Sequence, residues 1–118
     1  RGDINKILSA VRESFNIAHN AELTLEANPG DLTDDNLSVL LDAGINRLSI
    51  GFQSLEDSLL EILGRRHSSD GAIEAFNKAR GSGYDNISVD LMYGISHQSM
   101  DDWRNTLKTL LVERSLAH

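Results

Sequence analysis

Three runs of this chain alternate polar and aliphatic residues with a period of two. Residues 22–27 set Glu22, Thr24 and Glu26 against Leu23 and Leu25. Residues 46–52, continued by Gln53, set Arg47, Ser49, Gly51 and Gln53 against Leu48, Ile50 and Phe52. Residues 86–91 set Ser88 and Asp90 against Ile87, Val89 and Leu91. Successive side chains of a strand point to opposite faces, so each run predicts a strand with one packing face and one polar face. The polar rows end at Glu26, Gln53 and Asp90. Such a face is a poor wall for a hydrophobic core and a suitable wall for a binding cavity.

Between these runs the period lengthens to that of helices. Ile4, Ile7, Leu8, Val11 and Phe15 form one stripe over residues 4–15, with Asp3 as a candidate N-cap. Asn28-Pro29-Gly30-Asp31 predicts a type II turn. A helix then follows, with Thr33 as N-cap, Leu37, Leu40 and Leu41 inward, and Gly44 just past its end. Ser54-Leu55-Glu56-Asp57 resembles a capping box opening a helix with Leu55, Leu59, Leu60, Ile62 and Leu63 that stops at Gly64. Another spans about 70–80 with Ile73, Phe76 and Ala79 inward. The last spans about 100–112 with Trp103, Leu107, Leu110 and Leu111.

The predicted order is α, β, α, β, α, α, β, α. Strands separated by helices imply parallel pairing through right-handed crossovers. The central strands of a doubly wound sheet read apolar on both faces, whereas all three strands here keep a polar face. The expected class is therefore α/β, a fragment of a partial, TIM-like β/α barrel of three parallel strands with flanking helices. In such barrels ligands sit at the C-terminal ends of strands, where Glu26, Gln53 and Asp90 fall.

Composition narrows the partners. With 118 residues, 40% hydrophobic and a net charge of -7 spread along the chain, this reads as one globular segment with no broad basic surface for nucleic acid. No apolar run approaches the roughly 20 residues needed to span a bilayer, and no signal segment opens the chain, so a cytoplasmic location is expected. There are no cysteines, which excludes disulfides and cysteine-held metal or cluster sites built from this chain alone. The chain starts at Arg1 and ends at His118 directly after a helix-like pattern, so it reads as an excised piece.

Each candidate has a plain alternative. Asp90 between Val89 and Leu91 would be a costly buried charge unless it holds a ligand. Carboxylates and amides such as Glu26, Gln53 and Asp90 suit ribose hydroxyls or an ammonium group. Arg65-Arg66-His67 either complements a helix C-terminus or clamps a carboxylate or phosphate. Arg47 is expected to pair with Glu22 or Glu26 on the polar face. His19, His67, His97 and His118 show no metal-ligand spacing, and no metal is expected. Gly81-Ser82-Gly83 follows a helix and precedes a strand, the reverse of a dinucleotide loop, and reads as a helix stop. Tyr93 and Gly94 either border the cavity or belong to an ordinary loop.

Four ordered blocks carry a resemblance. They are residues 22–30 (Glu-Leu-Thr-Leu-Glu-Ala-Asn-Pro-Gly), 44–54 (Gly-Ile-Asn-Arg-Leu-Ser-Ile-Gly-Phe-Gln-Ser), 63–67 (Leu-Gly-Arg-Arg-His) and 89–94 (Val-Asp-Leu-Met-Tyr-Gly). From about residue 20 onward the chain resembles the radical S-adenosylmethionine family of oxygen-independent coproporphyrinogen III oxidase and its heme-chaperone relatives. The resemblance implies a partial β/α barrel whose [4Fe–4S] cluster, held by a Cys-x3-Cys-x2-Cys motif, reduces S-adenosylmethionine to a 5′-deoxyadenosyl radical. In the oxidase that radical starts the oxidative decarboxylation of porphyrinogen propionates.

By the same resemblance Glu26, Gln53, Arg65 and Asp90 match positions that contact S-adenosylmethionine, with Arg65 suited to its carboxylate and the others to its ribose and amino groups. The cluster cysteines and further strands would lie outside residues 1–118, which would form a single central piece, inactive alone and holding no cofactor tightly. Porphyrinogen or heme and an electron donor are the implied partners of the parent protein. Two departures stand out. Gly94-Ile95-Ser96-His97-Gln98-Ser99 lacks the proline of the family loop Gly-Leu-Pro-Gly-Gln-Thr. The Ala-Asn-Pro-Gly and Gly-Arg-x-His forms lie nearer the heme-chaperone branch, so heme binding and transfer is an alternative to oxidation, and a stand-alone small βα binding module is a third.

Three barrel strands alone leave two unpaired edges beside a lumen, so self-association is expected. Light scattering at high concentration should give a mass above that of one chain; a monomer would refute this.

Overall fold

The computed structural model describes residues 2–113. Helix α1 (Gly2–Ser14) precedes strand β1 (Thr24–Ala27), a 3₁₀ turn at Pro29–Asp31 and α2 (Asp34–Asp42). Strand β2 (Arg47–Gln53), α3 (Asp57–Ile62) and α4 (Ser69–Gly81) follow. Strand β3 (Ile87–Leu91) and α5 (Met100–Lys108) complete the order, and a π-helical turn covers Thr109–Glu113. The strands form one parallel sheet, β1-β2-β3.

The central strand sets the layers. Leu48, Ile50 and Phe52 on one face of β2 are wholly buried. They join Leu37 and Leu40 of α2, Ala72, Ile73, Phe76 and Ala79 of α4, and Leu110 in one cluster that takes no residue from the polar face. Leu25, Val89 and Leu91 on the edge strands pack against that cluster but are only half buried. Complete burial of a Leu, Ile or Phe side chain contributes about 1.5–3 kcal/mol, so β2 carries the greatest share per strand residue.

Local sequence places most boundaries. Thr33 Oγ1 accepts from Asn36 N (3.2 Å), and Gly44, at φ +90°, closes α2 with a Leu41 O bond from its own N and a Leu40 O bond from Ile45 N. Ser68 caps α4, and Gly83 follows that helix at φ +105°, so Gly81-Ser82-Gly83 is a helix stop. Ser99 and Asp102 form a reciprocal capping box on α5. The Ser99 backbone N–H and hydroxyl hold the Asp102 carboxyl below its ordinary pKa.

Several expectations are corrected. Asp3 lies inside the first turn of α1 and does not cap it. Residues 28–31 are not a type II turn. Consecutive bonds from Asp31 N to Asn28 O and from Leu32 N to Pro29 O wind them into a 3₁₀ turn, and Gly30 has no positive φ. Ser54 does not cap α3, because Leu55 N is drawn to Thr106 Oγ1 (3.3 Å) and the helix starts only at Asp57; Ser54 Oγ accepts from Glu56 N instead. Ile7, Phe15, Ile62 and Leu111 are exposed, so their helical stripes are buried only in part. His118 lies outside the described residues.

Tyr84, between α4 and β3, is 1% exposed, and its hydroxyl has no hydrogen-bond partner among the described residues. Burial pushes its pKa from 10.0 up to about 12. A raised folded-state pKa gives stability that is complete below the unfolded value, here near pH 10, and lost as pH rises through about 12. Tyr84→Phe removes the unpaired buried group. It should raise unfolding free energy by about 1 kcal/mol in urea titrations and flatten the alkaline loss of stability between those pH values.

Candidate functional site

The polar face of the sheet is held by side chains bonded across strands. Arg47 Nη2 donates to Ser88 Oγ (3.0 Å), Ser88 Oγ donates to Ser49 Oγ (3.0 Å), and Ser49 Oγ donates to Asp90 Oδ2 (2.7 Å). The relay zigzags between β2 and β3, linking a guanidinium to a carboxylate through two hydroxyls. On its other side Arg47 reaches Thr24 Oγ1 (3.3 Å) and Glu22 Oε1 (3.7 Å), so it spans all three strands and plays the structural part expected of it. Asp90 does not stand as an isolated buried charge: it is exposed, and it accepts from Ser49.

The registers put the candidate residues in steps. Glu26 pairs with Ser49 and Ser49 with Ser88; one row further, Gly51 pairs with Asp90. The ladder then slips, so Gln53 stands opposite Leu91. Gln53 has φ +67°, a left-handed conformation that costs a side-chain-bearing residue about 1–2 kcal/mol. Its carbonyl still accepts from Met92 N (2.9 Å). Its amide makes no hydrogen bond among the described residues, and neither does the Glu26 carboxylate. Gln53 Nε2 lies 2.8 Å from where a Cβ on Gly51 would stand.

Arg65 reaches the site from a different element. Gly64, at φ +66°, ends α3, and Arg65 N bonds back to Leu60 O (2.9 Å). This turn aims the Arg65 side chain across to the end of β1, where Nη1 donates to Asn28 Oδ1 (2.7 Å). His67 Nε2 meets Phe52 O (3.3 Å) and ties the same loop to the end of β2. Between them lies a cleft of about 380 Å³, lined by Asn28, Gly30 and Asp31 and by the run from Gly64 to His67. Glu26 lines a second cleft of about 340 Å³ that shares Asn28 and Asp31 with the first.

Thus the structure puts Gln53, Asp90 and Glu26 on one sheet face and sets Arg65 at the rim, bonded to none of those three. Asn28, read from sequence only as a turn residue, is the side chain that orients Arg65. The loop after β3 is organised without a proline: Gln98 Oε1 accepts from Gly94 N (2.7 Å) and Ile95 N (3.3 Å), and Nε2 donates to Met92 O (3.5 Å). His97 takes φ +66°. Tyr93 is exposed and meets Trp103 edge-on at 6.2 Å. Among the described residues no three His, Asp or Glu side chains are grouped to hold a metal ion, and no helix is long and apolar enough to cross a membrane.

Comparison with known proteins assigns this architecture. The family model of the radical SAM superfamily matches residues 1–110. The chain belongs to the radical SAM superfamily. It is 43% identical over 91 residues to the heme chaperone HemW of Bacillus subtilis, covering 77% of this chain and 24% of that protein. It is 41% identical over 105 residues to the mouse mitochondrial radical S-adenosyl methionine domain-containing protein 1, covering 89% of this chain and 24% of the relative. Among solved structures, coproporphyrinogen III oxidase (HemN) of Escherichia coli, a radical SAM enzyme, matches with a TM-score of 0.81 and 29% identity. That match covers 91% of this chain and 25% of the oxidase. The chain spans about a quarter of the length of these relatives. The three parallel strands and their helices are therefore a sector of the radical SAM barrel.

Ser49→Ala removes both the donor to Asp90 and the acceptor for Ser88. It should lower unfolding free energy by about 1 kcal/mol in urea denaturation. An unchanged midpoint would show that the relay adds nothing to stability.

Proposed function

We propose that this chain supplies one wall of an S-adenosylmethionine site in a radical SAM protein that acts on, or carries, a tetrapyrrole. The observation that supports it most directly is the stepped set of Glu26, Asp90 and Gln53 on one face of a parallel sheet, at and near the C-terminal ends of its strands. Glu26 and Gln53 leave a carboxylate and an amide free for ribose hydroxyls or an ammonium group, while Ser49 steadies Asp90 for the same work. Arg65, with one nitrogen on Asn28, keeps other donors for a carboxylate. S-adenosylmethionine supplies the radical chemistry when bound; the residues here bind and orient it.

An iron–sulfur cluster of this family requires cysteine thiolates, and this chain has none, so its residues do not fit the cluster. Its association with copies of itself through the open edges of β1 and β3 belongs to the same proposal.

A heme-binding and heme-transferring role for the whole protein is a second reading. The identity with HemW, 43%, favours it over the 29% with the oxidase structure. Consumption of coproporphyrinogen by the full-length, cluster-reconstituted protein would eliminate a pure chaperone role. Heme binding and transfer without turnover would eliminate the oxidase.

For the site itself, alanine at Glu26, Gln53, Arg65 or Asp90 in the full-length protein should weaken S-adenosylmethionine binding about tenfold, near 1.4 kcal/mol each, by equilibrium dialysis. Arg65→Lys should not restore affinity, because an ammonium cannot reproduce the planar fork. Wild-type affinity in all four alanine variants would refute the assignment.

A further inference from the structure

We propose that Gly51 is a positioning residue: the missing Cβ at this position lets the Gln53 side chain fold back along the polar face, and so fixes where its amide is offered to a ligand. The inference rests on the assignment of Gln53 to the S-adenosylmethionine site. Glycine in the interior of a buried central strand weakens it relative to alanine, so a compensating reason is expected. Backbone conformation does not provide one, since Gly51 is absent from the positive-φ glycines. Crowding by the edge strand does not either, because the nearest atom outside Gln53 is Ala27 O, at 3.9 Å from an added Cβ.

The single close neighbour is the Gln53 amide. Its Nε2 would stand 2.8 Å and its Cδ 4.0 Å from that Cβ. The left-handed backbone at Gln53 and the slip of the β2–β3 ladder between Gly51 and Gln53 act in the same direction. Residue 53 leaves the regular strand path while Phe52 stays buried on the apolar face. Two departures from an ordinary strand, a central glycine and a left-handed glutamine, thereby serve one placement. The amide so placed has no partner among the described residues, as a group kept for a ligand should not.

Alanine at 51 therefore has to displace a flexible side chain and nothing else. The test is a double-mutant cycle in the full-length, cluster-containing protein with Gly51→Ala, Gln53→Ala and both together. S-adenosylmethionine affinity is read by equilibrium dialysis and folding by the thermal midpoint. Each single change should weaken binding about tenfold, and the double variant should bind no more weakly than Gln53→Ala. A role confined to strand structure would persist in the Gln53→Ala background, so multiplied losses would overturn the proposal. So would wild-type affinity in Gly51→Ala beside weakened Gln53→Ala. Wild-type affinity in Gln53→Ala would instead overturn the assignment of Gln53 to the ligand and this inference with it. Should Gly51→Ala fail to fold, a folded double variant that binds like Gln53→Ala still supports the clash, and a double variant that also fails refutes it.

Discussion

The sheet face of the site depends on the register of β2. Its alternation sends Leu48, Ile50 and Phe52 into the core and Arg47, Ser49 and Gln53 to the other face. A slip of one residue would exchange the two sets, burying a guanidinium and exposing three large apolar side chains. The energy that fixes the register comes from the core side, where those three residues are wholly buried. The polar face inherits its geometry from that packing. Its own contacts, with Arg47 half-buried and Asp90 exposed, add direction more than energy.

The division between the two faces also explains how far sequence could be read. Period-two alternation, helix stripes and glycine stops such as Gly44, Gly64 and Gly83 are local signals, and they place the elements and their parallel order. The resemblance carried by residues 22–30, 44–54, 63–67 and 89–94 leads to the same superfamily that the residue 1–110 match identifies. Two of the misreadings fall where a distant partner overrides a local motif. Ser54 looks like a cap until Thr106, 52 positions away, takes the neighbouring backbone N–H. Asn28 looks like a turn residue until Arg65 arrives across 37 positions of sequence. No window on the chain contains either pair.

The candidate site is therefore assembled from parts with different mechanical support. Asp90 and Ser49 sit on paired strands, and Arg65 sits on a loop held by one helix cap and by His67 against Phe52 O. A carboxylate ligand bridging the Arg65 rim and the sheet face would couple the two supports. Without it, the rim is joined to the strand ends mainly through Asn28 and Phe52.

The edge-on contact of Tyr93 with Trp103 has a practical side. The chain has one tryptophan, and it stands beside the loop that leaves β3 just after Asp90. Indole emission responds to nearby rings and to water, so a shift of that loop toward or away from the strand ends changes an optical signal intrinsic to the chain. The chain carries its own gauge of that end of the sheet, with no label to be added.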